Sequence, residues 1–310
     1  MTDPISPLKL MLNPAFLRSL VAARVPFDRH APLDFSEVGR VLFSDISFSS
    51  EMRENNVAFP ILKAISKLGL DSVPDMMEFL PEPSSKDFPE LCLGLIVLLD
   101  QVTRVLFEGI DKRWETEYFD VISQRFAARW RTLPPDLRPD LWHRWNYTTG
   151  TSFDYWVATR MWFVAPNVHS EAAKDHEFAL SYTNDTRAVV ELVTGQRDPH
   201  RARRSEILSD VYAFPFVAQE GAPQGPHVTL AFWTFWMCML MDIHKPIIDR
   251  FHRYPYKNSG LGRKSSEEEK DWLDKTDHFA EASPEVAKRI KEDIEAGRWT
   301  PLGEGSSYLK

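Results

Sequence analysis

Hydrophobic residues recur at intervals of three or four along most of the chain, which is the spacing of one face of an α-helix. The stretch FPELCLGLIVLLDQVTRVLFEGI shows this pattern most clearly, and Gly109 stands where that helix is predicted to end. The same spacing returns in FDVISQRFAARW, while no alternating strand pattern of comparable length occurs. The pattern therefore predicts an all-α fold, a single helical domain of about ten helices.

Prolines are clustered between the helical stretches. The clusters lie at residues 80–90, 132–140 and 220–227. They indicate turns, because proline lacks a backbone donor and breaks helices. We expect an irregular stretch between residues 195 and 227. The helical domain is predicted over residues 1–275, and residues 276–310 are predicted to hold a C-terminal helix capped by Ser283 and a flexible Gly/Ser-rich tail.

Charge and apolar segments limit the classes of partner. The formal net charge is -8, whereas general nucleic-acid binders are usually basic, so we expect no nucleic-acid partner. The longest uncharged apolar run, Val228–Met241, has 14 residues; it is too short to span a bilayer, and no secretory signal is visible. Cys92 and Cys238 lie in apolar runs, which suits a reducing compartment. We therefore expect a cytoplasmic protein without a membrane partner.

An acidic residue interrupts the most hydrophobic helix of the chain. Asp100 and, one turn later, Arg104 lie on the same predicted face, so the simplest interpretation is a buried ion pair that neutralises itself. In the alternative, Asp100 and Gln101 project into a cavity, where Asp100 is a general base or ligand anchor and Arg104 sets its pKa. The spacing is compatible with both roles.

Two stretches are unusually rich in aromatic residues. WNYTTGTSFDYWVATRMWFVA contains Trp156, and VTLAFWTFWMCMLM contains Trp233 and Trp236. So dense a set usually packs between helices as core. The alternative is an apolar pocket whose ring faces bind a flat ligand or stabilise a developing cation.

Familiar metal and cofactor motifs are absent from the sequence. There is no HExxH, no CxxC pair, no Gly-rich phosphate loop and no GxSxG elbow. Asn184 opens a segment that resembles the magnesium motif of class I terpene cyclases, but Ala188 and Leu192 occupy the other ligand positions and cannot bind metal. We predict no metal site and no cofactor.

The stretch HKPIIDRFHRYPYKNSGLGRKSSEEE combines basic residues, aromatic rings and glycines. Ser266 and Glu269 have the spacing of a capping box, so the acidic run is predicted to begin a helix. The residues from His244 to Phe251 are predicted to form the last turns of a helix, followed by a turn segment. The candidates for ligand binding in this stretch are His244, Arg253, Lys257, Asn258 and Arg263.

Two gapped motifs resemble the family catalogued as domain of unknown function 924. The first, LLDQ-x-x-R-x-x-F-x-G, is met by the residues from Leu98 to Gly109. The second, H-x-x-I-I-x-R-F-x-R-x-P-x-x-N-x-x-L-G-R, is met by the residues from His244 to Arg263. The resemblance is clearest over residues 90–275, and it implies a fold similar to tetratricopeptide helical arrays.

The chain departs from the family pattern at several positions. Val105 replaces the usual asparagine of the first motif, and His252 replaces a glycine of the second. In a third family segment, L-P-x-x-H-S-E, the histidine and serine become Ala218 and Gln219 while Glu220 remains. The resemblance therefore implies that any activity depending on that histidine is changed or lost here.

Three functions stay open. The first is a cofactor-independent enzyme for cyclisation, isomerisation, elimination or hydrolysis of a small organic or anionic substrate, which charged residues inside hydrophobic helices favour. The second is a non-catalytic tetratricopeptide-like module that binds a protein or peptide. The third is a terpene-type cyclase without the usual metal motifs. The acid/base candidates are Asp100, Glu220 and His244. The substrate-binding candidates are Gln101, Arg104, Arg253, Lys257, Asn258, Arg263, Trp156, Trp233 and Trp236.

Overall fold

The computed structural model describes residues 5–43, 46–55 and 57–305. All regular structure among these residues is helical, without a β-strand, so the predicted all-α class is confirmed. The chain divides into two compact units. The first comprises Met1–Leu106 and Tyr118–Pro166, and the second comprises Phe107–Glu117 and Asn167–Lys310. The domain boundary predicted at residue 275 stays a prediction.

Helices of one to six turns follow one another along the described residues, more of them than the ten or so predicted because several are single turns. The α-helices are α1 (Ile5–Met11), α2 (Pro14–Arg24), α3 (Phe35–Phe43), α4 (Ile46–Asn55), α5 (Ala58–Ser66), α6 (Phe88–Ile96), α7 (Thr103–Leu106), α8 (Lys112–Trp114), α9 (Asp120–Arg131), α10 (Trp142–Thr149), α11 (Phe153–Val168), α12 (Ala173–Thr194), α13 (Arg204–Ile207), α14 (Ala213–Glu220), α15 (Leu230–Asp242), α16 (Lys245–Phe251), α17 (Glu267–Lys275) and α18 (Pro284–Glu295). Two π-helical segments lie at Val97–Val102 and Glu115–Phe119. The 3-10 segments are Leu70–Ser72, Met76–Phe79, Gly109–Asp111, Pro135–Leu137, Pro199–Arg203, Pro255–Lys257 and Ser259–Leu261.

In the first unit, α2 packs closely against α6. Gly94 permits this approach, because a Cβ atom at its position would lie only 2.4 Å from the carbonyl oxygen of Leu17 in α2. Every residue from Leu91 to Val102 is buried. A segment that is buried on all sides forms the centre of a core rather than one of its faces.

In the second unit, α12 and α15 pack along each other. The hydroxyl of Thr183 donates a hydrogen bond of 2.6 Å to Asp242, and the thiol of Cys238 lies 3.6 Å from the Thr183 carbonyl oxygen. The predicted helix in the apolar run Val228–Met241 begins at Leu230, and Phe232 on it is exposed. No helix in the described part of the chain is both long and apolar enough to cross a membrane.

Two local predictions are wrong. The stretch between residues 195 and 227 is not wholly irregular, because it contains α13 and the two-turn helix α14. The residues from His244 do not end a helix either: α15 stops at Asp242, and His244 is the N-cap of the separate helix α16. Pro246 lies in the first turn of α16, where a missing N–H breaks no hydrogen bond of the helix.

The predicted helix caps are confirmed. The Ser266 hydroxyl accepts the N–H of Glu269 at 3.1 Å, and the Glu269 carboxylate accepts the N–H of Ser266 at 2.7 Å, which completes a capping box. Ser283 accepts the N–H of Val286 and begins α18. Of the predicted flexible tail, Leu302 is buried, and residues 306–310 lie outside the described residues.

Candidate functional site

Asp100 lies in the first unit, in the π-helical segment between α6 and α7. Its side chain is fully buried, and it accepts a hydrogen bond of 2.6 Å from the amide of Gln101. A guanidinium nitrogen of Arg104 lies 3.4 Å from the carboxylate and donates to the Asp100 carbonyl oxygen at 2.5 Å. The predicted contact between Asp100 and Arg104 is confirmed. A π-helical turn inside an α-helix is rare and often marks a functional position.

Further charged and aromatic groups surround this pair within the first unit. The other terminal nitrogen of Arg104 lies 2.9 Å from Asp120. Gln101 accepts a hydrogen bond of 3.4 Å from buried Arg24, whose guanidinium carbon lies 3.9 Å from the ring centre of Trp162. We name the following residues the first-unit cluster: Arg24, Asp100, Gln101, Arg104 and Asp120.

The three tryptophans predicted for a pocket have different surroundings. Trp156 is buried in the first unit and donates its indole N–H to the Asp140 carbonyl oxygen at 3.0 Å. Trp233 is fully buried in the second unit, whereas Trp236, one turn later on α15, is partly exposed. Trp156 and Trp233 thus pack as core, and Trp236 is the one of the three with accessible surface.

Arg253 lies in the second unit and is neutralised by Glu269 of α17. Two of its nitrogens contact the two carboxylate oxygens at 2.6 and 2.7 Å. The Arg253 guanidinium is the main reason that the pKa of Glu269 is lowered to about 2. Burial of the carboxylate acts in the opposite direction, and the hydrogen bond from the Ser266 N–H lowers the pKa further. A bidentate pair of this kind fixes the turn segment to α17, because the planar guanidinium matches the carboxylate in orientation.

Arg263 forms a second bidentate pair, with Glu171 at 2.7 and 2.8 Å. Burial raises the pKa of Glu171, but the hydrogen bonds and charge of Arg263, with help from the Tyr254 N–H, lower it overall. Lys257 donates to the His169 carbonyl oxygen at 3.1 Å. The basic groups predicted to grip an anion therefore already contact acceptors of the protein itself.

Asn258 and His244 are both buried in the second unit. The Asn258 amide donates to the Ser265 hydroxyl at 3.1 Å. One ring nitrogen of His244 lies 2.8 Å from the Leu240 carbonyl oxygen, and its ring centre lies 3.7 Å from that of Phe214. Burial, together with neighbouring histidines, lowers the pKa of His244 well below its usual value. His244 is therefore neutral at pH 7 and is packed as an aromatic side chain.

Glu220 is the last residue of α14 and is exposed. It lies one turn after Phe216, which has 48% of its surface exposed. Helix α14 contacts α15, where Phe232 is 46% exposed and Trp236 follows one turn later. We name the exposed residues Phe216, Glu220 and Phe232, with partly exposed Trp236, the α14–α15 surface.

Residues 80–277 match the family described as "Bacterial protein of unknown function (DUF924)". The chain belongs to the DUF924 family. The match contains both DUF924 motifs and begins near the proline cluster at residues 80–90. No curated protein and no solved structure matches the chain.

The candidate residues of this DUF924 protein fall into the two units separately. Asp100, Gln101 and Arg104 lie together in the first. Sequence reasoning missed Arg24 and Glu171, since neither is close to its partner along the chain and no local pattern marks them. Among the described residues, no group of three side chains is arranged to hold a metal ion.

Proposed function

We propose that the chain is a helical binding module for a protein or peptide segment, in which the charged residues of the second motif are scaffold. The bidentate pairs of Arg253 and Arg263 support this proposal. Glu269 and Glu171 already neutralise these guanidinium groups, so an anionic substrate could take over their charge pairing only by displacing one of the two carboxylates, which would then lack its partner. The neutralised pairs hold the turn segment in place.

The observation that carries a binding role is the α14–α15 surface. Large aromatic side chains are costly to leave in water, and their exposure on contacting helices is typical of interaction sites. Phe216 and Phe232 supply apolar anchors, and Glu220, one turn after Phe216, supplies a negative charge. The proposed partner therefore presents apolar side chains together with a basic residue.

A selection from a peptide library tests this function. We expect peptides to be recovered with apolar and basic residues, and Phe232→Ser to weaken their binding by at least about tenfold, as expected for an aromatic anchor. Tyr147→Ser is the matched control, because Tyr147 is an exposed aromatic residue of the first unit. Recovery of no peptide, or equal binding by both variants, would overturn the proposal.

A second candidate is the cofactor-independent acid/base enzyme, and the first-unit cluster favours it. Burying four polar or charged groups, Arg24, Asp100, Gln101 and Asp120, is less stable than filling the same space with apolar residues, so their presence is consistent with a functional demand. In this candidate Asp100 is the base, while Gln101 and Arg104 bind a small organic or anionic substrate. The π-helical turn that holds Asp100 supports the assignment.

A thermal-shift screen against small metabolites tests the enzyme candidate. We expect a substrate or product to raise the melting temperature of the wild type but not that of folded Asp100→Asn. His244→Ala distinguishes the units, since His244 lies in the second and is not part of the cluster. A ligand that stabilises Asp100→Asn as strongly as the wild type would exclude this role. We propose a cytoplasmic location for either function, because Cys92 and Cys238 are free thiols.

A further inference from the structure

The first unit carries a groove of about 380 Å³ between the segment Val73–Met76 and one face of α9. Its apolar lining includes Val73 and Pro74, which are partly exposed, and exposed Ala128, together with buried Met76, Ile122 and Phe126. A volume of this size lies in the range of small-molecule pockets, roughly 300–1,000 Å³. The groove therefore has both the space and the apolar lining that a small ligand needs.

Two arginines of α9 line the same groove, and they differ in charge balance. Arg129 contacts Asp75 at 2.7 Å, so its charge is neutralised. Arg125 donates one hydrogen bond of 2.9 Å to the Leu70 carbonyl oxygen and forms no ion pair with any described residue. Since a guanidinium has five N–H donors, Arg125 retains donors and a full positive charge for a ligand.

We propose that this groove binds a small amphipathic carboxylate, an organic acid with an apolar chain or ring. The apolar body would cover the exposed parts of Val73, Pro74 and Ala128, and the carboxylate would pair with Arg125. A neutral ligand would forgo the charge-assisted hydrogen bonds, and a cationic one would be repelled. The proposal is independent of the α14–α15 surface, which lies in the other unit, and of any catalytic role of Asp100.

Calorimetric titration with three probes of equal chain length tests the charge preference. The probes are octanoate, octanol and octylammonium. We expect octanoate to bind the wild type, octanol to bind about tenfold or more weakly, and octylammonium not to bind, because only the carboxylate forms a hydrogen bond with Arg125 in which both partners are charged. Failure of octanoate to bind, or equal binding of octylammonium, would overturn the proposal.

Two variants test whether the ligand binds in the groove. Arg125→Gln should weaken octanoate binding about tenfold or more while leaving octanol binding unchanged, and Arg289→Gln is the matched control, because Arg289 is an exposed arginine of α18 in the second unit. Ala128→Trp should abolish octanoate binding without loss of melting temperature, because Ala128 lines the groove and is exposed. Unchanged binding in either groove variant contradicts the site.

The outcome of these titrations is separate from that of the peptide selection. A groove that binds octanoate in a chain that selects no peptide would sustain this proposal and refute the binding module. If the chain binds peptides, Arg125→Gln leaves that binding unchanged and octanoate does not bind, the binding module is supported and the groove proposal is refuted.

Discussion

The replacement Glu269→Gln removes one negative charge from the capping box of α17 and keeps the shape of the side chain. Glu269 is 3% exposed at its side chain and contacts Arg253 through both carboxylate oxygens. Glutamine still accepts a hydrogen bond but cannot neutralise the guanidinium. We therefore expect a clear loss of stability at pH 7 with little change in structure.

The size of that loss follows from the pKa of Glu269. A fall from the ordinary 4.5 to about 2 corresponds to roughly 3 kcal/mol, at about 1.4 kcal/mol per pKa unit. Arg253 is 30% exposed, so solvent screens part of the interaction, and we expect a loss of about 2 kcal/mol. The carboxylate is more acidic in the folded state, so its contribution is complete above pH 4.5 and is lost as the pH falls towards 2.

Urea denaturation followed by circular dichroism measures this loss, and the neighbouring Glu268→Gln is the matched control. Glu268 also pairs with an arginine, Arg250, but both side chains are more than half exposed, so its removal should change stability by no more than about 0.5 kcal/mol. Equal effects of the two variants at pH 7 would refute the reasoning. So would a Glu269→Gln deficit that persists undiminished at pH 3.

Three further predictions concern buried groups. Burial lowers the pKa of His244 and of His176, so their neutral forms are favoured in the folded state. The melting temperature should therefore decrease as the pH falls below 6.5. His244→Phe should make this decrease shallower, and an unaltered pH dependence would contradict the assignment. Asp100→Asn breaks a buried ion pair and should cost about 3 kcal/mol in urea denaturation; a loss below 1 kcal/mol would show that the carboxylate is not needed for the fold. Trp156→Ala should cost about 3–5 kcal/mol and Trp236→Ala clearly less, because only the first empties a fully buried site; equal losses would contradict that distinction.

Contacts between residues close in sequence were predictable. Asp100 and Arg104 are four residues apart, and Ser266 and Glu269 are three apart, so helix geometry alone brings each pair together. The π-helical turn at Asp100 was not predictable, because its apolar spacing resembles that of an ordinary helix. Helix α14 was missed because it is short and lies among prolines.

Contacts between distant residues were not predictable. Arg263 and Glu171 are 92 residues apart, and no pattern in the chain links them. Knowledge of that partner changes the interpretation of the basic stretch, since an arginine bound to a carboxylate is scaffold, while an arginine without one, such as Arg125, is available to a ligand.

The sequence by itself determined the helical class, the caps and the DUF924 membership of the chain. These properties depend on the spacing and identity of neighbouring residues, which can be read from the sequence. Only the tertiary structure decided which charges are neutralised and which aromatic rings remain in water. Packing chooses each side chain's partner and its exposure, and these two factors set its pKa and its access to a ligand.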